Sequence, residues 1–181
     1  MTPEMKNLFL FAFIIFSTTF AKAQWQAGGG LIFGTEIENL GLQLKGVYSL
    51  DEQVEDSKFD VAGEFSYFFP DNTTVDFGNF GSIENKVTLW ALNFNAHYDL
   101  LEEENLILYP LAGLNIASIT AKSENSQGED FSDTDTELGL NLGIGAKTML
   151  TDNLAGYGEI KYVISDFDQA VFSAGVLYSF P

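Results

Sequence analysis

Residues Thr136–Lys147 read TELGLNLGIGAK, and this stretch decides the fold class. Leu138, Leu140, Leu142, Ile144 and Ala146 fall on one parity; Glu137, Gly139, Asn141, Gly143, Gly145 and Lys147 fall on the other. Side chains of a β-strand alternate between its two faces, so the stretch is a strand with one apolar face and one polar or small face. An amphipathic helix repeats its apolar positions every three and four residues instead. Thr88–Asp99 has the same pattern: Trp90, Leu92, Phe94, Ala96 and Tyr98 alternate with Leu89, Ala91, Asn93, Asn95, His97 and Asp99. In Phe59–Phe69, the aromatics Phe59, Phe65, Tyr67 and Phe69 alternate with Asp60, Ala62, Glu64 and Ser66.

Outward from these segments, the chain divides into eight predicted strands: 24–34, 40–49, 58–69, 86–99, 106–119, 136–149, 155–165 and 169–180. Clusters of Asp, Asn, Gly, Ser and Glu bound them, as turns require. Pro110 lacks an N–H, so a bulge is expected there. Thr151-Asp152-Asn153 is a tight turn, and Leu50–Ser57 is a short acidic connection. The connections 70–85 and 120–135 are long. Long and short connections tend to fall on opposite ends, as in an up-and-down barrel, although 35–39 and 166–168 are short on the long-loop side.

Composition narrows the class. One domain fits 181 residues, and the 14% aromatic content gives the chain surface to bury. The absence of cysteine excludes a disulfide framework, a thiol nucleophile and a zinc-thiolate centre. The formal charge is −18, and all eight basic residues are lysines. A chain this acidic repels nucleic acid.

Residues 1–23 read as a cleaved secretory signal peptide. Lys6 precedes the apolar run Leu8–Phe16, and Ala21-Lys22-Ala23 forms an A-x-A site before Gln24. The run is too short for a membrane span, which needs roughly 20 apolar residues. The mature domain is then 24–181. Cleavage removes Lys6, Lys22 and Glu4, which moves the charge from −18 to −19.

Alternation alone does not say which face is inside. Three features do. The polar face is rich in glycine and small amides, which suit a crowded eight-stranded lumen. The apolar face carries aromatics at strand ends: Trp25, Tyr48, Phe59, Tyr98, Tyr178 and Phe180 near one rim, Phe33, Phe69, Trp90 and Phe172 toward the other. Two aromatic belts are the interfacial pattern of a membrane barrel. Finally, Val176, Tyr178 and Phe180 alternate on the apolar face up to Pro181.

With the leader, the eight strands and the segments YPLAGLNI (Tyr109–Ile116) and VFSAGVLYSF (Val171–Phe180), the chain resembles the small outer-membrane barrels of the OmpA/OmpX type, often called porin family proteins. Their terminal pattern is an aromatic last residue; Pro181 after Phe180 departs from it by one position. The resemblance implies a Gram-negative outer membrane, a lipid-embedded monomer, long loops facing outside, and delivery by periplasmic chaperones and the barrel-assembly machinery. It names no extracellular partner.

The phase assignment places Lys45, Glu64, Glu137, Lys147, Glu159 and Lys161 in the lumen, together with His97, Asp99, Asn93, Asn95 and Asn141. Charges in a narrow lumen must pair, and strand adjacency suggests Lys45 with Glu64 and Lys147 with Glu159. The pairs read as a structural network or, alternatively, as a gate on an ion path. His97 stands two residues from Asp99, a spacing that can orient a base, yet no serine with a supporting motif accompanies it. Asp133, Asp135 and Glu137 offer alternating oxygens, a weak divalent-cation pattern without the glycine and distal glutamate of an EF-hand. Gly139–Thr148, GLNLGIGAKT, has Ala146 and Asn141 where a phosphate loop needs glycine, so it is a strand. No catalytic site, cofactor or resident metal is expected. The expected protein is a non-enzymatic, all-β, eight-stranded antiparallel up-and-down transmembrane barrel with a filled polar lumen, serving envelope structure or surface interaction. Its rivals are a narrow channel, which predicts conductance, and a secreted lipocalin-like carrier, which predicts an apolar interior. A lipid-modifying membrane enzyme is a third, opposed by the lumen-facing His97.

Overall fold

The computed structural model describes residues 25–50, 57–76, 82–103, 105–125 and 130–180. The predicted leader and Pro181 lie outside the described residues, as does most of the Leu50–Ser57 connection. Among the described residues nine strands follow one another: β1 (Trp25–Gly34), β2 (Asn39–Ser49), β3 (Phe59–Asp76), β4 (Ser82–Tyr98), β5 (Leu101–Glu103), β6 (Leu106–Asn125), β7 (Asp130–Thr151), β8 (Leu154–Ile164) and β9 (Gln169–Ser179). Neighbours pair antiparallel, β4 also pairs with β6, and β1 pairs with β9, so the sheet closes on itself. β5 continues the line of β4 along β6, which makes an eight-stranded barrel.

The break between β4 and β5 has a cause in the sequence. Pairing runs to His97↔Leu111 and resumes at Leu101↔Leu108, so β4–β5 carries one extra residue opposite Tyr109 and Pro110. Pro110 has no N–H to offer that side. The bulge expected at Pro110 is therefore on the facing strand, and β6 itself pairs with β7 without interruption.

Two predicted connections are largely strand. β3 runs on to Asp76, β4 starts at Ser82, β6 reaches Asn125 and β7 begins at Asp130. Here β4 pairs with β6 up to Ile83↔Asn125, and β6 with β7 up to Glu124↔Asp130. The hydrophobic alternation that marks a half-buried strand is missing from the sequence of these arms. Their β-branched residues, such as Thr120, Thr134 and Thr136, still suit a ladder.

The barrel is apolar outside. Leu44 is 65% exposed, Ile144 64% and Leu138 77%. This burial pattern overturns the soluble-carrier alternative, whose apolar face must point inward. The interior is filled, and it is not polar throughout. Ile32, Phe68, Leu89, Val163 and Val171 form one buried apolar cluster toward the long hairpins, with Ile37 and Ile119 against it. Val47, Ala62, Tyr157 and Leu177 form a second. Hydrogen-bonded side chains fill the space between.

Candidate functional site

The barrel wall makes room for this polar layer on one side. Gly28 stands opposite Lys45, and Gly30 opposite Gln43. Gly175 of β9 stands opposite both Gly30 and Tyr157. With glycine at these three positions of β1 and β9, the side chains of β2, β3, β4 and β8 have room inside the barrel.

Glu64 of β3 is the hub. Its carboxylate takes Lys45 Nζ at 3.1 Å and Lys161 Nζ at 2.5 Å. It also accepts hydrogen bonds from Gln43 Nε2 at 3.1 Å and Asn95 Nδ2 at 3.2 Å. Lys45 makes a second ion pair with Glu159, whose Oε1 also accepts from the Tyr109 hydroxyl at 2.8 Å. Tyr157 donates to Gln43 Oε1 at 2.9 Å. An amide chain completes the layer: Asn115 and Asn141 both donate to Asn93 Oδ1, at 2.8 and 2.9 Å, and Asn141 also donates to Asn95 Oδ1 at 2.8 Å. Charges taken out of water cost several kcal/mol each unless paired and hydrogen-bonded, and this layer does both.

Of the residues predicted for the lumen, Lys45, Glu64, Asn93, Asn95, His97, Asn141, Glu159 and Lys161 are buried there. Asp99, Glu137 and Lys147 are half-buried. The structure joins Lys45 to Glu64 but not Lys147 to Glu159. Tyr157, not Glu159, stands across from Lys147 in the ladder, and Lys147 Nζ reaches Asp60 Oδ2 at 3.4 Å. Glu159 is already engaged by Lys45 and Tyr109. His97 stacks on Tyr109, ring centroids 4.6 Å apart, with Nε2 3.9 Å from Glu159. Among the described residues no hydrogen bond joins it to Asp99, so the His-Asp spacing does not orient a base. Asp133, Asp135 and Glu137 lie along β7 in extended conformation. Alternate residues of a strand stand roughly 7 Å apart, and these three do not converge.

Sequence reasoning missed Asp60, Tyr109, Tyr157 and Gln43 as members of the network. Tyr109 was hidden because tyrosine also serves in the outer belts. Its inward seat depends on Gly145 directly across the ladder, where a Cβ would lie 2.4 Å from the ring. On the outer surface, rings pair at the end where β1 begins and β9 ends: Trp25 with Tyr48 (4.7 Å), Phe59 with Tyr98 (5.0 Å) and Tyr178 with Phe180 (5.4 Å). Toward the hairpin end, Trp90 stacks with Phe65 at 6.5 Å, and Phe69 and Phe172 are exposed.

A family model described as "Outer membrane protein beta-barrel domain" matches residues 8–180. Among solved structures, the chain is similar to the attachment invasion locus protein Ail of Yersinia pestis in complex with the heparin analogue sucrose octasulfate. The TM-score is 0.59 at 17% identity, over 87% of this chain and 97% of that one. A major outer membrane protein from Thermus thermophilus gives a TM-score of 0.67 at 14% identity, over 87% and 98%. The N-terminal β-barrel domain of Pseudomonas aeruginosa OprF gives 0.52 at 14%, over 88% and 98%. No match was found among curated proteins. At these identities the structures speak to the fold alone.

Proposed function

The chain belongs to the outer membrane protein beta-barrel domain family and is a bacterial outer-membrane barrel, and from that premise we propose a non-enzymatic role in surface interaction, with the lumen as a structural plug. One observation carries the reading. Beyond the barrel, β3, β4, β6 and β7 continue as a four-stranded sheet. β2 pairs with β3 no further than Gly41↔Phe68, and β8 with β7 no further than Leu140↔Ile164. Among the described residues the projecting sheet therefore has two open edges, one on β3 and one on β7. Open edges offer unpaired N–H and C=O groups to another chain. In this reading the sheet faces outside the cell, the mature chain starts after residue 23, and the two sets of paired rings anchor the barrel at the membrane interfaces.

Charge narrows the partner. Over 71–76, 82–86, 120–125 and 130–137 the sequence has eight carboxylates and two lysines, Lys86 and Lys122. Such a surface favours a cationic or neutral extended polypeptide and repels polyanions. Ail was solved with a heparin analogue; this chain is expected to reject one. The test places the barrel in planar bilayers and in nanodiscs. The expected result is no discrete conductance, with a basic peptide held by the intact sheet and released when residues 121–134 are replaced by a short turn. Discrete single-channel steps refute the plug and make transport the function.

A further inference from the structure

We propose that the centre of the lumen is a binding site for a divalent transition-metal ion of the zinc class, with His97, Glu159 and Glu64 as its ligands. These residues stand on β4, β8 and β3, and each offers a ligand atom within 4.8 Å of the others. His97 and Glu159 are each 3% exposed. His97 Nε2 and Glu159 Oε2 are nevertheless buried without a hydrogen-bond partner. Buried polar atoms are almost always partnered, so two orphans in one cluster call for an occupant. Nε2 lies 3.9 Å from Glu159 Oε1. Two ligands on one zinc-like ion stand roughly 3.3 Å apart, so the cluster needs only a small closure around it.

The donor set selects the ion. One imidazole and two carboxylates suit a borderline cation with three protein ligands and an open fourth position. Calcium and magnesium prefer oxygen throughout. The ligands are also held from behind: the His97 ring stacks on Tyr109, whose hydroxyl donates to Glu159. Such support around the ligands fixes their orientation.

Charge decides what must move. Lys45 and Lys161 already balance Glu64 and Glu159, so a dication enters only as a cation withdraws. Lys45 is the cation in the way: its Nζ pairs with both Glu64 and Glu159 and, in that same position, lies 4.9 Å over the Tyr157 ring, so a metal ion must take both carboxylates from it. Lys45 is thus the competitor that the metal displaces.

The test uses the full chain, unfolded in urea and refolded into detergent with chelator, then titrated with Co2+ as a spectroscopic stand-in and with Zn2+ as displacer. One Co2+ per barrel is expected, with a visible ligand-field band that Zn2+ abolishes. His97→Ala and Glu159→Gln should each lose the band. Lys45→Met should bind Co2+ more tightly than the wild type while its metal-free barrel unfolds more easily, two opposite shifts that a purely structural lysine does not produce. If His97→Ala does not refold, His97→Gln takes its place. The proposal is overturned if refolded wild type shows no saturable band. It is equally overturned if the band survives both ligand substitutions, which assigns the ion to surface carboxylates.

Discussion

Glu64→Gln removes one negative charge from the middle of the lumen and leaves the side chain's size unchanged. Lys45 keeps Glu159 as a partner, but Lys161, its side chain 2% exposed, has Glu64 as its only carboxylate among the described residues. Breaking a buried ion pair on one side costs about 3–5 kcal/mol, because the stranded charge stays buried. The carboxamide also turns an N–H2 toward donors that a carboxylate accepted, Gln43 or Asn95, which adds about 1 kcal/mol. The single variant should therefore lose about 4–6 kcal/mol, by the same reasoning. Lys161→Met in the Glu64→Gln background removes the stranded cation and should return about 1–3 kcal/mol of that. Urea titration of barrels in lipid vesicles measures both, followed by the fluorescence of Trp25 and Trp90 and by the mobility of unboiled against boiled samples on a gel. A single-variant loss below about 1 kcal/mol, or a double-mutant cycle additive to within about 0.5 kcal/mol, refutes the account of Glu64 as hub.

Three further outcomes follow from the same geometry. Gly145→Ala drives a Cβ to within 2.4 Å of the Tyr109 ring and should cost roughly 1–3 kcal/mol; Gly63→Ala meets nothing within 4 Å and should stay within about 0.5 kcal/mol of wild type in the same titration. Lys147→Met should couple to Asp60→Asn by at least about 0.5 kcal/mol and combine additively with Glu159→Gln. Replacing residues 121–134 with a short turn should leave the gel shift of the folded barrel intact, since the described residues among them pair only within the projecting sheet.

The barrel was legible because its wall obeys one rule at every height. Leu138, Leu140, Leu142 and Ile144 meet lipid while Gly139, Asn141, Gly143 and Gly145 meet the lumen, and a one-residue slip would exchange the two sets. The rule fails where the two-sided contrast fails. Beyond Phe69 and Ile119 the apolar alternation lapses in the sequence, so nothing in the hydropathy distinguishes strand from loop, and only the backbone ladder marks the strands. The network was legible as a set of inward residues but not as a set of bonds. Parity says that Lys147 points inward. It does not say that the nearest free carboxylate is Asp60 across the lumen, because a long lysine reaches past its cross-strand neighbour. Tyr109 was illegible for a third reason: a tyrosine on a barrel strand serves the belt or the core equally well, and the absent side chain at Gly145 decides.

The arrangement of the lumen bears directly on whether it conducts. A water-filled path needs polar groups that stay solvated along its whole length. Here the charged layer lies between two apolar clusters, and Glu64, Lys45 and Lys161 satisfy one another. An ion crossing the barrel would have to part Phe68 from Leu89 and Val171, then break two buried pairs whose stranded members each cost about 3–5 kcal/mol. The same reasoning gives the conductance test its sharpest form. Lys161→Met with Glu64→Gln removes both ion pairs of Glu64, yet the cluster around Phe68 is untouched, so the double variant should remain silent. Conductance in that variant alone would show that the charges, and not the apolar cluster, close the wild-type barrel.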